Sequence, residues 1–451
     1  MDITLLNRKI SILGAAKSGV SVAKLIKSKG GIPFVSDSGD ENKLKEYLQE
    51  LEREKIDFEI GKHSEKVFDA DFLVISPGVP MNNPVVSKFL ENGKEVYSEI
   101  EIAFWFNKAK LIGITGSNGK TTTTTLLYRM FCDNKYKSFV AGNIGYPLSD
   151  YVLSSSEDSF GVLELSSFQL DNIKYFKPYI SIIMNITPDH LDRYVTFENY
   201  INSKGRIFLN QDMNDYLIYN EDDEIVRNLI QSAKCKKLSF SIKGRVKEGI
   251  FVEDGVIKVI YNEKETEIID SNKISIKGKH NLYNSMAASL AGFISGIKVE
   301  EIVNTLMNFE GVEHRLEFVK EINGVKFYND SKATNVDSVW YALDSFVEPI
   351  NLIAGGKDKG NDYSSISELV EKKVKNLIVI GIGAKKLFDY FKEKTNVVFA
   401  DTMEDAVKKA YELAKPGEIV LLSPACASFD MFNNYEHRGQ VFKQCVYNLV
   451  K

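Results

Sequence analysis

Eight consecutive residues have the types and spacing needed to bind a phosphate group. Thr115–Thr122 reads TGSNGKTT and lies between the strand-like LIGI and the helix-like TTTLLYRMF. Backbone N–H groups of a glycine-rich turn and a helix N-terminus attract phosphate, a lysine adds charge, and a threonine hydroxyl can ligate Mg²⁺. The strict GxxxxGK[ST] pattern is not met, because Ile114 stands at its first glycine. We therefore predict a nucleotide site of the shorter TGxxGK[ST] type; a turn without a ligand would need neither the lysine nor the paired threonines.

Two further polar residues follow predicted strands downstream. Glu164 comes after FGVL, and Asp189 and His190 come after ISIIM. The carboxyl ends of parallel strands meet at one rim of a sheet, so Glu164 and His190 are expected to face the Thr121 hydroxyl. Mg²⁺ uses few protein ligands and suits such a set. An ordinary hydrogen-bonded histidine remains the alternative for His190.

The first hundred residues contain a weaker nucleotide pattern. Gly14–Gly19 is a degenerate GxGxxG in which Ala16 replaces the middle glycine, and Asp37 ends the second predicted strand. This favours either NAD binding by a dehydrogenase or a nucleotide carried as part of a substrate. Only the second interpretation also uses the phosphate loop. Ser76–Pro80, SPGVP, is either another backbone cradle or a plain turn.

Predicted strands and helices, which must position these residues, alternate along the whole chain. A length of 451 residues corresponds to about three domains. Short β-branched runs alternate with amphipathic stretches in three successive segments, a rhythm typical of parallel sheets. We predict an α/β fold of three domains, which cover residues 1–97, 98–310 and 311–451.

Composition narrows the function classes. The chain is 44% hydrophobic with a net charge of −5, which is typical of a globular protein and argues against nucleic acid as the main partner. The four cysteines have no metal-ligand or disulfide spacing. Neither a secretion signal nor an apolar run long enough to cross a membrane is evident, so we expect a cytoplasmic protein without membrane insertion.

In combination, the motifs resemble the Mur ligase family of peptidoglycan synthesis, and the resemblance covers essentially the whole chain. The motifs that carry it are GAAKSGVS, SPGVP, TGSNGKTTT, GNIG, ELSSFQL, TPDHLDRY, YINSKGRIF, GKHNLYN, EHRLE, NDSKATN, GGKDKG and SPACASFDMFNNYEHRG. NDSKATN and SPACASFD look specific to the branch that adds D-glutamate.

The resemblance implies both a fold and a reaction. It implies a Rossmann-like N-terminal domain for a UDP-sugar, a central P-loop ATPase domain and a Rossmann-like C-terminal domain for the amino acid. The implied enzyme is an ATP-dependent amide ligase. It would add D-glutamate to UDP-N-acetylmuramoyl-L-alanine through an acyl phosphate, with two Mg²⁺ ions, and release ADP and phosphate. A monomer is expected, because three domains already supply the site.

The resemblance also assigns residues around ATP and metal. It implies catalytic roles for Lys120, His190 and Lys204, with Lys204 carbamylated. The implied metal ligands are Thr121, Glu164, His190 and Lys204. The implied nucleotide contacts are Gly116, Asn118, Gly119, Lys120, Thr121, Thr122, Asn284, Arg315 and Asp330. The local pattern TFENYINSKGRIFLN alone would instead predict that Lys204 is a surface lysine on a helix.

Two further sets are assigned to the substrates. For the UDP-sugar the resemblance implies Ser36, Asp37, Ser76, Gly78, Asn143, Ser166 and Gln169. For D-glutamate it implies Lys332, Thr334, Lys359, Ser428 and Tyr435. Tyr435 stands where the family often has phenylalanine, so a main-chain contact is expected there. His437 and Arg438 are predicted to be structural.

Three other functions stay open from the sequence. A related ligase would add a different amino acid, or would add glutamate to folate. A regulatory P-loop module would hydrolyse nucleotide slowly without forming an amide. A nicotinamide dehydrogenase would use Gly14–Asp37.

Overall fold

The computed structural model describes residues 4–449, apart from the side chain of Asp192. Three β-sheets with flanking helices follow one another along the chain, which confirms the predicted three-domain α/β fold class. The predicted boundaries after residues 97 and 310 stay predictions. No helix within residues 4–449 is long and apolar enough to cross a bilayer.

The first sheet is parallel and has the strand order β3-β2-β1-β4-β5. Its strands are β1 Lys9–Leu13, β2 Ile32–Asp37, β3 Asp57–Ile60, β4 Phe72–Ile75 and β5 Val96–Ser98. The helices of this region are α1 Lys17–Ser28, α2 Glu41–Arg53, α3 Pro84–Glu91 and α4 Glu99–Phe104. The order changes direction between β1 and β4, and a crevice for ligands is expected beside such a switch point.

The second sheet has nine strands in the order β14-β13-β12-β11-β10-β9-β6-β8-β7. They are β6 Lys110–Thr115, β7 Ser138–Gly142, β8 Phe160–Glu164, β9 Ile180–Ile183, β10 Tyr216–Asn220, β11 Lys236–Ser241, β12 Gly249–Glu253, β13 Val256–Tyr261 and β14 Lys264–Asp270. The helices are α5 Lys120–Asp133, α6 Ser167–Leu170, α7 Leu191–Tyr194, α8 Phe197–Gly205, α9 Glu224–Leu229, α10 Lys279–Ile294 and α11 Val299–Asn308. The strands are parallel except for the antiparallel pairs β12–β13 and β13–β14 at one edge.

The third sheet has the order β15-β16-β20-β17-β18-β19, with only β15 antiparallel to its neighbour. Its strands are β15 Glu317–Ile322, β16 Val325–Asn329, β17 Ile350–Gly355, β18 Val374–Ile380, β19 Asn396–Phe399 and β20 Ile419–Leu422. The helices are α12 Val336–Asp344, α13 Ser367–Lys373, α14 Ala384–Phe391, α15 Met403–Leu413 and α16 Tyr435–Asn448.

The contacts between residues divide the chain into two compact units. The first comprises residues 1–274 and 283–308 and contains the first two sheets, and the second comprises residues 275–282 and 309–451. In the first unit a continuous apolar core joins side chains of both sheets, such as Val74 and Leu163. The interior strands β4, β8 and β20 are buried along their whole length, as expected for parallel strands covered on both faces.

Candidate functional site

The phosphate loop connects β6 to α5 at the switch point of the second sheet. Two of its glycines have left-handed or related backbone conformations, with φ of 147° at Gly116 and 86° at Gly119. A Cβ at Gly116 would lie 2.9 Å from Cβ of Met184, and one at Gly119 would overlap Oδ1 of Asn284. Glycine is therefore required at both positions. The predicted strand, loop and helix are all present.

The loop is held by residues that follow β9. The Asn118 N–H donates to Oδ1 of Asn185 at 2.8 Å, and Nδ2 of Asn185 donates to the Asn118 carbonyl at 3.1 Å. The Ser117 hydroxyl donates to the Thr187 carbonyl at 3.0 Å and accepts from the Thr187 N–H at 2.9 Å. The sequence did not single out Asn185; the only signal was its place in MNITPDH beside the predicted metal ligands.

Two lysines converge on one loop carbonyl. Nζ of Lys120 and Nζ of Lys204 each lie 2.8 Å from the Gly116 carbonyl oxygen. Lys204 is only 2% exposed, and its ammonium position is 4.5 Å from the Tyr200 ring centroid. Burial and the nearby charge of Lys120 hold the pKa of Lys204 well below its usual value. The local prediction of a surface lysine was wrong, because α8 turns this face toward the loop.

The predicted metal ligands lie around the same loop. Glu164 ends β8, is 1% exposed and accepts from Nδ2 of Asn143 at 2.8 Å. Its charge and those of Asp171 and Asp189 oppose the lowering of the Lys204 pKa, so these carboxylates lie near the amine. Thr121 is buried in the first turn of α5.

His190 precedes the single turn α7 and has a left-handed backbone, with φ of 54°. Its ring packs edge-on against Phe168 at 4.8 Å between centroids. Nε2 is 3.6 Å from Oδ2 of Asp189. The imidazole side chain is 42% exposed, whereas the other predicted metal ligands are buried.

Thr122 and Asn284 lie next to the phosphate loop: Thr122 is in the first turn of α5, and Oδ1 of Asn284 is close to Gly119. The Thr122 hydroxyl is buried and has no hydrogen-bond partner among the described residues. Asn284 is 2% exposed and its Oδ1 accepts from the Thr123 hydroxyl at 3.3 Å. A buried hydroxyl without a partner is uncommon in proteins, and this one lies in the first turn of α5, directly after the phosphate loop.

The switch point of the first sheet brings together two predicted substrate loops. Asp37 accepts at 2.7 Å from the N–H groups of Ala15 and Gly39, so it orders the Gly14 turn directly. A Cβ on Gly14 would lie 2.5 Å from Oγ of Ser76, whose buried hydroxyl has no partner within residues 4–449. The degenerate GxGxxG and SPGVP therefore share one crevice.

Ser36, by contrast, already has two polar neighbours that the sequence did not reveal. Its hydroxyl lies 2.8 Å from Oε1 of Glu59 and 2.7 Å from Nδ1 of His63. Pairing of β2 with β3 places Ser36 opposite Glu59, and His63 lies in the segment that follows β3.

Ser166 and Gln169 form the capping box of α6. The Gln169 N–H donates to Oγ of Ser166 at 3.3 Å, and the Ser166 N–H donates to Oε1 of Gln169 at 3.1 Å. The backbone N–H of Asn143 also donates to the Glu164 carbonyl at 2.8 Å, which fixes the GNIG turn beside α6. Gly78 is open, with nothing within 4 Å of a built Cβ.

In the second unit, Asp330 follows β16 and is buried. It accepts from the Ser423 hydroxyl at 2.8 Å and from the Leu316 N–H at 3.3 Å. Burial raises the pKa of Asp330 to about 7, although the charge of Arg315 opposes the shift. Nε of Arg315 is buried and has no hydrogen-bond partner in the described chain. Arg315 and Asp330 are thus neighbours, as two residues predicted to bind one nucleotide should be.

The predicted D-glutamate residues lie on loops that are joined to one another. Nζ of Lys332 is 5.5 Å from the Tyr435 ring centroid, and the Ser331 hydroxyl donates to the Tyr435 carbonyl at 2.8 Å. The loop that carries Lys359 pairs with the loop that carries Ser428 through Lys357 and Ala427. Thr334 follows in the Lys332 loop, and Lys359 is exposed.

Arg438 holds these loops together. Its guanidinium is 2% exposed and donates to the Ser331 carbonyl at 2.8 Å, the Ser331 hydroxyl at 3.0 Å and the Cys426 carbonyl at 3.0 Å. These contacts agree with the structural role predicted for it. All ligand assignments in both units remain predictions.

Comparison with known proteins places the chain in a family. Residues 8–98 match the Mur ligase MurD-like N-terminal domain, residues 114–292 the Mur ligase middle domain, and residues 314–426 the Mur ligase glutamate ligase domain. The chain therefore belongs to the Mur ligase family, as the motifs predicted.

Individual relatives are more specific. A protein of Thermoanaerobacter sp. (strain X514), named UDP-N-acetylmuramoylalanine--D-glutamate ligase, is 48% identical over 98% of both chains. A protein of Clostridioides difficile (strain 630) with the same name is 43% identical over 98% of this chain and 99% of its own.

Solved structures share the fold. UDP-N-acetylmuramate-alanine ligase MurC from Thermotoga maritima has a TM-score of 0.61 at 17% identity, covering 99% of this chain and all of its own. MurF from Acinetobacter baumannii has a TM-score of 0.63 at 16% identity, covering 98% and 93%. At these identities the likeness concerns the fold alone.

Proposed function

We propose that the chain is an ATP-dependent ligase that joins D-glutamate to UDP-N-acetylmuramoyl-L-alanine. ATP phosphorylates the L-alanyl carboxylate, and the amine of D-glutamate displaces phosphate from the resulting acyl phosphate. The relatives named as D-glutamate ligases, which are 43–48% identical over nearly the whole chain, support this substrate choice.

The observation that carries the proposal is the convergence of Lys120 and buried Lys204 on the Gly116 carbonyl. A glycine-rich turn without a ligand does not require two lysines at one carbonyl, and burial of one of them would only be costly. Phosphoryl transfer depends mainly on positioning and charge neutralisation, and Lys120 supplies a fixed positive charge for the β- and γ-phosphates. The Thr122 hydroxyl and the loop N–H groups would hold the phosphate oxygens.

The residues present can bind Mg²⁺, provided that one of them, Lys204, is carbamylated. Bound Mg²⁺ would neutralise charge on the transferring phosphoryl group. Thr121, Glu164 and His190 would hold it, and we include a second ion at carbamylated Lys204. A lowered pKa favours the neutral amine, whose lone pair can add to the carbon of CO₂, after which the nitrogen loses a proton. The carbamate formed is an oxygen donor of the kind that Mg²⁺ prefers.

The chemistry explains why the enzyme must activate the acid first. Carboxylate and amine do not condense at neutral pH, because hydroxide is a poor leaving group. Phosphate leaves readily: the amine nitrogen attacks the acyl carbon, loses a proton, and the tetrahedral species releases phosphate as the amide forms. Lys332 and Lys359, with the Thr334 and Ser428 hydroxyls, would bind the two carboxylates of D-glutamate.

The test is direct. The purified protein is incubated with ATP, Mg²⁺, UDP-N-acetylmuramoyl-L-alanine and D-glutamate, and the product is identified by mass. We expect the dipeptidyl product, with labelled oxygen moving from the acceptor carboxylate into orthophosphate. Product only with another amino acid would identify a different ligase, whereas substrate-independent hydrolysis would identify a regulatory module.

We further propose that the enzyme acts as a cytoplasmic monomer. The nucleotide-linked substrates and the three domains within one chain support this proposal. Sedimentation of the active protein would test the oligomeric state.

A further inference from the structure

We propose that Arg193 is a positioning residue for the UDP-substrate. It would fix the loop Ser76–Pro80 of the first sheet against the turn that starts at His190. The inference rests on the proposed function, because it assigns Arg193 a role in binding the substrate of that reaction.

Arg193 binds the loop through two backbone carbonyls. Nη1 donates to the Pro77 carbonyl at 2.8 Å, and Nη2 donates to the Val79 carbonyl at 3.1 Å. These carbonyls flank Gly78, one of the predicted substrate residues. A planar guanidinium can make both bonds at once, whereas the ammonium of lysine cannot match this fork.

A face of the same guanidinium packs over an aromatic ring. Its central carbon lies 3.9 Å from the Phe168 ring centroid, and the Phe168 ring packs edge-on against His190. Phe168 also stands between Ser166 and Gln169 in the capping box of α6. A single side chain therefore touches both the loop of the first sheet and the ring that supports the predicted metal ligand.

Other contacts order each of the two segments separately. α7 is a single turn between two residues with positive φ, 54° at His190 and 66° at Val195. A cavity of about 830 Å³ borders the bridge and is lined by Gly78, Pro80 and Arg193, among others. Open space borders Ser76–Pro80 on this side, and the two hydrogen bonds of Arg193 link the loop to α7 across it.

The experiment compares Arg193→Ala and Arg193→Lys with the wild type in steady-state ligation. We expect the KM for UDP-N-acetylmuramoyl-L-alanine to rise about tenfold in Arg193→Ala and less in Arg193→Lys, with the KM for ATP within about twofold. Added guanidinium ion should partly restore the KM of Arg193→Ala. A fall in kcat alone, or equal changes in both KM values, would overturn the inference.

Arg206→Lys is the matched control. Arg206 lines the same cavity and also donates to two backbone carbonyls, but these are the carbonyls of Leu170 at 2.8 Å and Ile173 at 2.6 Å rather than carbonyls of Ser76–Pro80. We expect a lower melting temperature without a selective change in the KM for the UDP-substrate. If Arg206→Lys reproduced the selective KM increase, Arg193 would have no special role.

Calorimetry separates this inference from the proposed function. If the wild type formed no amide, the proposed function would fail, yet titration with UDP-N-acetylmuramoyl-L-alanine would still test Arg193. About tenfold weaker binding to the variants than to the wild type supports the inference, and equal binding or no binding to any of them overturns it. Should Arg193→Ala fail to fold, Arg193→Lys and Phe168→Leu carry the same comparison.

Discussion

The amino groups of Lys120 and Lys204 donate to the same oxygen, the carbonyl of Gly116, each at 2.8 Å. Two full positive charges at one buried acceptor would repel each other strongly. Burial and the charge of Lys120 together lower the pKa of Lys204. The surroundings of Lys204 thus favour its neutral amine, the form that can react with CO₂.

The first prediction concerns Lys204→Ala. We expect this variant to lose most ligase activity and to recover part of it with added short carboxylic acids, because these supply the oxygen ligands that the carbamate would give. Product formation is measured with and without acetate. Lys234→Ala, at an exposed position of the same unit, is the control and should behave as wild type. Full activity of unsupplemented Lys204→Ala would refute the role.

The second prediction concerns Gly119→Ala. The left-handed φ of 86° and the overlap of a Cβ with Oδ1 of Asn284 should distort the loop. A left-handed residue other than glycine costs about 1–2 kcal/mol, so ATP should bind about 5- to 30-fold more weakly. Calorimetric titration with an ATP analogue measures this. Gly244→Ala is the control, because its built Cβ meets nothing within 4 Å; equal affinity of the two variants would contradict the prediction.

The third prediction is a pH dependence of stability at Glu99, the first residue of α4. Oε1 of Glu99 accepts from the N–H and hydroxyl of Ser149 at 2.7 and 2.5 Å, and burial raises its pKa from 4.5 to about 7. Below pH 4.5 the folded and unfolded chains both carry the proton; between pH 4.5 and 7 only the folded chain keeps it. The contribution of Glu99 to stability therefore falls as pH rises, by on the order of 3 kcal/mol in total.

Glu99→Gln should remove this loss, because its amide oxygen accepts the same bonds without ionising. We expect the variant to unfold at a higher urea concentration than the wild type at pH 8, with a smaller difference at pH 5. Glu52→Gln, at an exposed position on α2, serves as the control. A Glu99→Gln advantage of equal size at both pH values would show that this carboxyl does not titrate as described.

The fourth prediction concerns Arg438→Lys. Lysine cannot make the three bonds to Ser331 and Cys426, so buried carbonyls lose their partners at a cost of about 3 kcal/mol. Thermal unfolding should begin earlier, and the KM for D-glutamate should rise, because Lys332 and Ser428 lie on the loops that Arg438 joins. Arg129→Lys, an exposed arginine on α5, is the control. An unchanged KM for D-glutamate would show that Arg438 contributes to stability alone.

Much of the fold was predictable because it depends on local pattern. Buried runs such as FLVI and IVLL became the fully buried strands β4 and β20, and Pro416 and Gly417 follow the end of α15 as expected. The phosphate loop could also be predicted, because the glycines that its backbone geometry requires all lie within eight consecutive residues.

Contacts between distant segments could not be predicted in the same way. Lys204 lies in a polar helix whose pattern resembles a surface helix, and only its packing against Gly116 buries the amine. Ser36 meets Glu59 and His63 through strand pairing, and the fork of Arg193 depends on residues more than a hundred positions away. The family resemblance identified Lys204 because it carries information about tertiary packing that periodicity lacks.

The backbone at Val195 has consequences for engineering. A β-branched residue with φ of 66° that is 83% exposed gains little from burial and carries conformational strain of about 1–3 kcal/mol. Selection of random variants for heat tolerance should therefore enrich glycine here. If the strained backbone at Val195 holds the His190 imidazole in its position, such variants would have a higher melting temperature but a lower catalytic rate.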